Sequence, residues 1–346
     1  MVTGVTVSPA SITINAGETL PLSATVTGTG NISQAVEWSS SDNAVATVNI
    51  SGIVIAHTQG NAVITATAVG TTISGTANIT VNQAGGGTPD NNVFEYVSAG
   101  NAHTLAIDSD NNLWAWGYNN SGRLGDGTTE DRYLPVRIKQ GTTFTQISAN
   151  WGHNLAIDEQ GNLWAWGYNR RGQIGDGMGG NWGDFTATPV HIMPGTTFSR
   201  ISAGGSHSLA IDSHGNLWTW GSNIFGQLGD GTTEDRPSPV RIMHSIRFSQ
   251  ISAGGLHSLA VDNQGQLWAW GENLWGQIGD GEWQSRPAPV RIMLDTRFTQ
   301  ISAGGSHSLA IDADGDSWAW GFNFNGQLGD GTMGISRTPV RISFKN

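Results

Sequence analysis

Ser202–Thr232 reads SAGGSHSLAIDSHGNLWTWGSNIFGQLGDGT, and Ser302–Thr332 reads SAGGSHSLAIDADGDSWAWGFNFNGQLGDGT. A His, a Ser and an Asp lie within a few residues of one another, beside paired tryptophans and a Gly-Asp-Gly. Those residue types suit a hydrolase triad or a metal loop. Recurrence points elsewhere. The His returns at His103, His153, His207, His257 and His307, and the Trp-rich stretch closes at Gly117, Gly167, Gly221, Gly271 and Gly321. The Gly-Asp-Gly closes at Gly127, Gly177, Gly231, Gly281 and Gly331, and a Pro-Val pair follows at Pro135, Pro189, Pro239, Pro289 and Pro339. One motif is thus written five times at a period near fifty residues, with a four-residue insertion in the second copy. The repeats run over about 94–143, 144–197, 198–247, 248–297 and 298–346.

Each repeat holds enough chain for about four short strands and their turns. In HSLAID, His207, Leu209 and Ile211 share one side of an extended strand and Ser208 and Ala210 the other. DSHGN supplies Asp and Gly for a hairpin turn. LWTW then returns with Trp218 and Trp220 on one side and Thr219 on the other. Large residues on one face and small ones on the reverse suit sheets packed between near-identical sheets, as in a ring of radial blades.

The rest of the chain agrees with an all-β reading. Among 346 residues, 12% are charged, Gly numbers 49, Trp 15 and Cys none. Zero Cys excludes a disulfide framework and thiolate chemistry. The net charge of −11 argues against nucleic acid as a partner. No apolar run has the length of a membrane span, so direct membrane insertion is not expected, and Met1-Val-Thr-Gly lacks the pattern of a signal peptide. Residues 1–92 carry four acidic side chains and no Lys or Arg. Up to residue 81 the chain reads as short alternating strands, VTVSPA, SITINA, LPLSATVTG, AVEWSS, ATVN, GIVIA, AVITATAV and ANITV, at the spacing of a β-sandwich, with Trp38 placed to fill its centre. NQAGGGTPDNN, residues 82–92, breaks every periodicity and reads as a flexible linker. The domains are therefore a sandwich over 1–81, the linker, and a propeller over 93–346.

Two families are resembled. VTVSPA, AGETLPLSATV, VEWSSSDNAVATVN, GIVIAHTQG and ITATA, in that order, resemble the group-2 bacterial immunoglobulin-like domain. That resemblance implies a spacer or adhesion module on the outside of a bacterium. SAGGSHSLA, LWAWG, NxxGQLGDGT and PVRI resemble the repeats of the regulator of chromosome condensation family, which implies a β-propeller, usually of seven blades. Five are legible here. The ring closes with five, further blades or domains belong to a longer parent chain, or another chain fills the shortfall.

The recurring polar residues read as scaffold. His207 and Ser208 face opposite sides of one strand, and five equivalent triads would mean five equivalent active sites. Neighbouring copies of the His are too far apart to share a metal, and a buried His bonded to the backbone of a neighbouring loop fits better. DADGD at Asp312–Asp316 opens like a calcium loop but lacks the later ligands. No catalytic residue, cofactor or metal is expected. The Trp pairs read as packing between blades; the Gly-Trp-Arg-His motif of light-sensing family members is absent, and NWGHN around Trp151 is its nearest approach.

Information is expected where the copies differ. Each G-x-Asn-x-x-Gly turn after the tryptophans keeps its Asn and both Gly while the residues between change. The candidate binding face is Tyr118, Tyr168, Arg170, Arg171, Phe225, Leu274, Trp275, Phe322 and Phe324 from these turns, with Trp182 from the insertion and Trp283. The expected function is a non-enzymatic recognition or adhesion module, extracellular or on a bacterial surface, binding a protein or a glycan. The alternatives that the resemblance implies are a nucleotide-exchange regulator of a small GTPase and a propeller inhibitor of a secreted enzyme.

Overall fold

The computed structural model describes residues 1–30, 32–82, 93–181 and 183–343. It contains strands and turns and, among the described residues, no helix. The chain divides into two compact units, 1–91 and 92–346. The linker read at 82–92 lies outside the described residues apart from Asn82, which ends a strand.

The first unit pairs β1 (Val2–Ser8) with β4 (Ser23–Gly28). A four-stranded sheet runs in the order β2 (Ser11–Asn15), β9 (Ser74–Asn82), β8 (Gly60–Ala68), β5 (Val36–Ser40), and a three-stranded one runs β3 (Thr19–Pro21), β7 (Ile53–Ala56), β6 (Ala46–Val48). The period-two pattern works as read: Ala62, Ile64, Ala66 and Ala68 of β8 turn inward while Asn61 and Val63 face solvent. Two expectations are corrected. LPLSATVTG is two strands, because its first part pairs with β7 and its second with β1, and Leu22 at the join donates its N–H to the Gly52 carbonyl. Trp38 does not fill the centre. Ile64, Ile79, Val54 and Ala77 do, and Trp38 lies partly buried at the edge of the cluster.

The second unit is five four-stranded antiparallel sheets in strict sequence order. The first blade is β10 (Phe94–Ala99), β11 (His103–Asp108), β12 (Leu113–Gly117) and β13 (Arg132–Ile138). The second is β14 (Phe144–Ala149), β15 (His153–Asp158), β16 (Leu163–Tyr168) and β17 (Phe185–Ile192). The third is β18 (Phe198–Ala203), β19 (His207–Asp212), β20 (Leu217–Gly221) and β21 (Arg236–Ile242). The fourth is β22 (Phe248–Ala253), β23 (His257–Asp262), β24 (Leu267–Gly271) and β25 (Arg286–Ile292), and the fifth β26 (Phe298–Ala303), β27 (His307–Asp312), β28 (Ser317–Gly321) and β29 (Ser336–Arg341). First strands of neighbouring blades touch one another, which puts them innermost.

One apolar contact is repeated between blades. Leu209, Ile211, Leu217 and Ile242 of the third blade pack on Phe248, Ala253, Ala260 and Trp270 of the fourth. The same positions recur in the three other clusters of the propeller. Full burial of each such Leu, Ile or Phe is worth about 1.5–3 kcal/mol, so the stability of the unit resides mainly between blades. Polar bonds fix the register. The Gln227 carbonyl accepts both the Trp270 indole N–H (2.9 Å) and the Ser258 hydroxyl (2.9 Å) of the next blade. Gly229 is required beside it: its φ is +73°, and a Cβ there would lie 2.8 Å from the Trp270 Nε1.

Candidate recognition rim

The strand pairing decides which residues share an end of the blades. His207 lies opposite Gly221 and Ser208 opposite Ala203, so the His, the SAGG loop and the G-x-Asn-x-x-Gly turn gather at one end. The Asp turn closes the other.

The His, Ser and Asp of one repeat do not converge. His207 Nε2 donates at 2.9 Å to the Ser258 hydroxyl of the following blade, which itself donates to the Gln227 carbonyl. His153 and His257 repeat this with Ser208 and Ser308, and His103 bonds Asn154. The partner is a side chain of the next blade, not the loop backbone expected from sequence. The other nitrogen, Nδ1, has no partner in His103, His153, His207 or His257. Gly204 makes room for the ring, since a Cβ there would lie 2.4 Å from the His207 Cε1. Burial, reinforced by neighbouring imidazoles, lowers His153, His207 and His257 to about 3. Such a ring is neutral at neutral pH. Asp212 is consumed at the far end of the hairpin, accepting from the backbone of His214 and Asn216, the Asn216 amide and the Trp218 indole. Asp312 accepts in the same way from Asp314, Asp316 and Trp318, so DADGD is a turn whose carboxylate is already engaged. Among the described residues no three His, Asp or Glu side chains are grouped to hold a metal.

The turn is held from inside. Buried Asn223 accepts the Leu228 N–H (2.9 Å), and its amide donates to Asp230 (3.0 Å) and to the Thr232 carbonyl (3.1 Å). Asp230 in turn accepts from Thr232 and from Arg236 (2.7 Å). Asn119, Asn169, Asn273 and Asn323 do the same work in their blades. The frame is therefore independent of the residues that stand between its fixed Asn and its two Gly, and these are free to change.

Those residues form two kinds of surface. On the fourth and fifth blades Trp275 meets Phe322 edge-on at 5.1 Å and Phe324 at 6.1 Å, and Phe322 and Phe324 lie 5.0 Å apart. Phe324 and Leu274 remain about half exposed (49% and 57%), as does Ile224 on the third blade. Phe225, Trp275 and Phe322 are partly buried, so they support the patch more than they present it. On the first two blades the surface is tyrosine and arginine. Tyr118 is exposed and holds the Arg123 guanidinium 5.0 Å from its ring, and Arg123 also donates to the Trp151 carbonyl. Tyr168 and Arg170 are partly buried, and Arg171 pairs with Asp235 of the next blade at 3.0 Å. Trp283 stands apart on the longer connection, exposed, with Arg337 of the following blade 5.1 Å from its ring. Trp182 lies outside the described residues. Glu272, a varying turn residue left off the candidate face, is nearly buried at the same end. Burial raises its carboxyl against an opposing bond from Gln277. An acidic residue where other copies have Tyr, Ser or Phe was the available signal.

Comparison with known proteins now adds to this geometry. The family described as RCC1-like domain matches residues 66–346. The chain belongs to the RCC1-like domain family. Residues 1–86 match the bacterial Ig-like domain, group 2, and the overlap at 66–86 falls on β8 and β9, whose partners are all in the sandwich. The chain is 34% identical over 140 residues to the ultraviolet-B receptor UVR8 of Arabidopsis thaliana, covering 40% of this chain and 32% of that receptor. It thus spans about a third of that relative's length. Among solved structures it is similar in fold to human WBSCR16 (TM-score 0.66, 19% identity, 83% of this chain and 80% of that one). It is similar also to Prp20p of Saccharomyces cerevisiae (TM-score 0.64, 23% identity, 74% and 64%), described with its binding to Gsp1p and histones.

Proposed function

We propose that the propeller is a non-enzymatic recognition module that binds a protein or a glycan through the turn-bearing rim, and that the Ig-like domain is a spacer on the outer surface of a bacterium. The observation that carries the rim is the Trp275–Phe322–Phe324 cluster with Leu274 beside it. It is an aromatic patch built on turns whose own stability does not need it. Membership of a family whose relatives include a receptor and a Gsp1p-binding protein supports binding over catalysis. Engagement of the His of the first four blades and of the repeated hairpin Asp by the scaffold supports it too.

The test compares the full chain with a variant carrying Trp275→Ala, Phe324→Ala and Arg170→Ala. Both are fluorescently labelled and applied to bacterial cells, host cells and a glycan array. The expected result is retention by the parent chain and at least about tenfold weaker retention by the variant at equal melting temperature. Equal retention sinks the rim. Acceleration of guanine-nucleotide release from a small GTPase, unaffected by these substitutions, would favour exchange activity instead.

A further inference from the structure

One carboxylate at the rim is buried without a cation. Glu272 keeps 7% of its surface exposed, and among the described residues only Gln277 donates to it, from Nε2 to Oε2 at 3.0 Å. No Lys, Arg or His among the described residues is paired with it. The frame does not require an acid here. The same position holds Tyr118, Tyr168, Ser222 and Phe322 in the other blades. In the third blade Gln227 donates to the Ser222 hydroxyl instead, and in the second the Gln173 Nε2 goes without a partner. The carboxylate lies at the foot of the aromatic patch. The Glu272 N–H donates to the Leu256 carbonyl, and Phe322 repeats that bond with Ser306 one blade on, so the two residues are equivalent neighbours. Gln277 joins them. Its Oε1 accepts the Trp275 N–H at 2.9 Å, and its Cα lies 3.3 Å from where a Cβ on Gly321, the residue before Phe322, would stand. Trp275 in turn meets Phe322 and Phe324 edge-on. The support is rigid, because the Gln277 carbonyl already holds the Ser308 hydroxyl and the Trp320 indole of the fifth blade, each at 2.8 Å.

We propose that Glu272, with Trp275 and Phe324, receives an arginine side chain of a protein partner, which rests on the reading of this rim as the binding face. A buried carboxylate calls for a counter-ion. Aromatic rings beside it attract a cation and exclude water from it. The cation suited to both is flat and weakly hydrated, a guanidinium rather than an ammonium. Oε2 is taken by Gln277, and Oε1 is left to accept from the incoming group. Leu274 and Phe324, 57% and 49% exposed, offer apolar surface to the methylene stem. The molecule already makes such contacts within itself: the Arg337 guanidinium lies 5.1 Å from the Trp283 ring and that of Arg123 5.0 Å from Tyr118. A net charge of −11 favours the approach of a basic partner. A neutral sugar would leave the carboxylate without a counter-ion, so the feature favours a protein as the partner.

The probe is the tripeptide acetyl-Gly-Arg-Gly-amide, with citrulline in place of arginine as its neutral twin of nearly the same shape. Each is titrated at pH 7 into the full chain, and binding is read from the Trp275 indole and Gln277 amide signals in nitrogen-15 NMR. The expected result is a saturable shift of both signals by the arginine peptide, with an affinity at least about tenfold above that of the citrulline peptide. Glu272→Gln, which keeps the size of the side chain, should bring the two peptides to equal affinity at an unchanged melting temperature. The comparison of the two peptides in the parent chain stands whether or not that variant folds. No saturable shift, equal affinities in the parent chain, or a preference that survives Glu272→Gln overturns the inference. Failure of the rim itself is read separately. If Trp275→Ala and Phe324→Ala leave retention on cells and glycans unchanged, the rim falls; weakened retention without an arginine preference removes the arginine alone.

Discussion

Replacing Asn223 by Asp is the sharpest test of how the rim is held. The change keeps the size of the side chain and the oxygen that accepts the Leu228 N–H. It removes the amide that donates to Asp230 and to the Thr232 carbonyl, and sets a carboxylate about 3 Å from another. At an effective dielectric near 20, two charges about 3 Å apart repel by about 5 kcal/mol. Arg236, 2.7 Å from the Asp230 carboxylate, offsets part of this. The orphaned Thr232 carbonyl adds about 1–3 kcal/mol. A net loss of about 3 kcal/mol at pH 7 is expected from these opposing terms. The sign of the pH dependence follows. The introduced carboxyl has its folded pKa raised, so its penalty is full at neutral pH and fades as pH falls through that pKa, when its O–H donates to Asp230 as the amide did. Urea unfolding followed by tryptophan fluorescence reports the propeller, since every Trp but Trp38 lies in the second unit. The difference between parent and variant, measured at each pH, should shrink toward about 1 kcal/mol at pH 4.5. A variant as stable as the parent at pH 7 would refute the latch.

Two further outcomes are expected. Acid should weaken the propeller before its carboxylates titrate. His153, His207 and His257 are held at about 3 by burial against 6.5 unfolded, so the unfolded chain binds more protons as pH falls below 6.5. Each costs about 2 kcal/mol at pH 5, about 6 kcal/mol together, and His207→Gln should remove one proton from the slope of urea-derived stability against pH. Burial raises Asp212 but its Trp218 and Asn216 bonds prevail and lower it, so its contribution is lost only in stronger acid. Calcium should have no effect: melting in millimolar calcium and in chelator should coincide, because Asp312 is already engaged by its own turn.

The blades were legible because their period is written in residue types. Spacing alone placed His207, Trp220 and Gly229 in equivalent positions, and facing rules grouped Leu209 with Ile211 and Trp218 with Trp220. The expectation of one large and one small face fails, because the register pairs Leu209 with Thr219 and Ala210 with Trp218. What carries register was harder to read. The Gln227 carbonyl is a backbone atom that leaves no mark in sequence, and the Ser258 hydroxyl acts across fifty-one residues. Hence the His partner was misassigned to backbone. In the sandwich, LPLSATVTG has the alternation of one strand, and only pairing with two different neighbours divides it. The candidate rim residues were read as variable positions within a fixed frame. Which of them present and which support depends on ring-to-ring contacts such as Trp275 on Phe322, which no spacing rule supplies.

The most direct measurement is nitrogen-15 NMR of the imidazoles from pH 8 to pH 4, assigned by single His→Gln replacements. If the repeated residues are architecture, His153, His207 and His257 stay neutral across the whole range in one tautomer, protonated at Nε2. His307 is only partly buried, and burial alone lowers it. An ordinary titration near pH 6.5 by any of the three interior rings would mean that the blades do not enclose them, and the reading of the repeat as scaffold would fail.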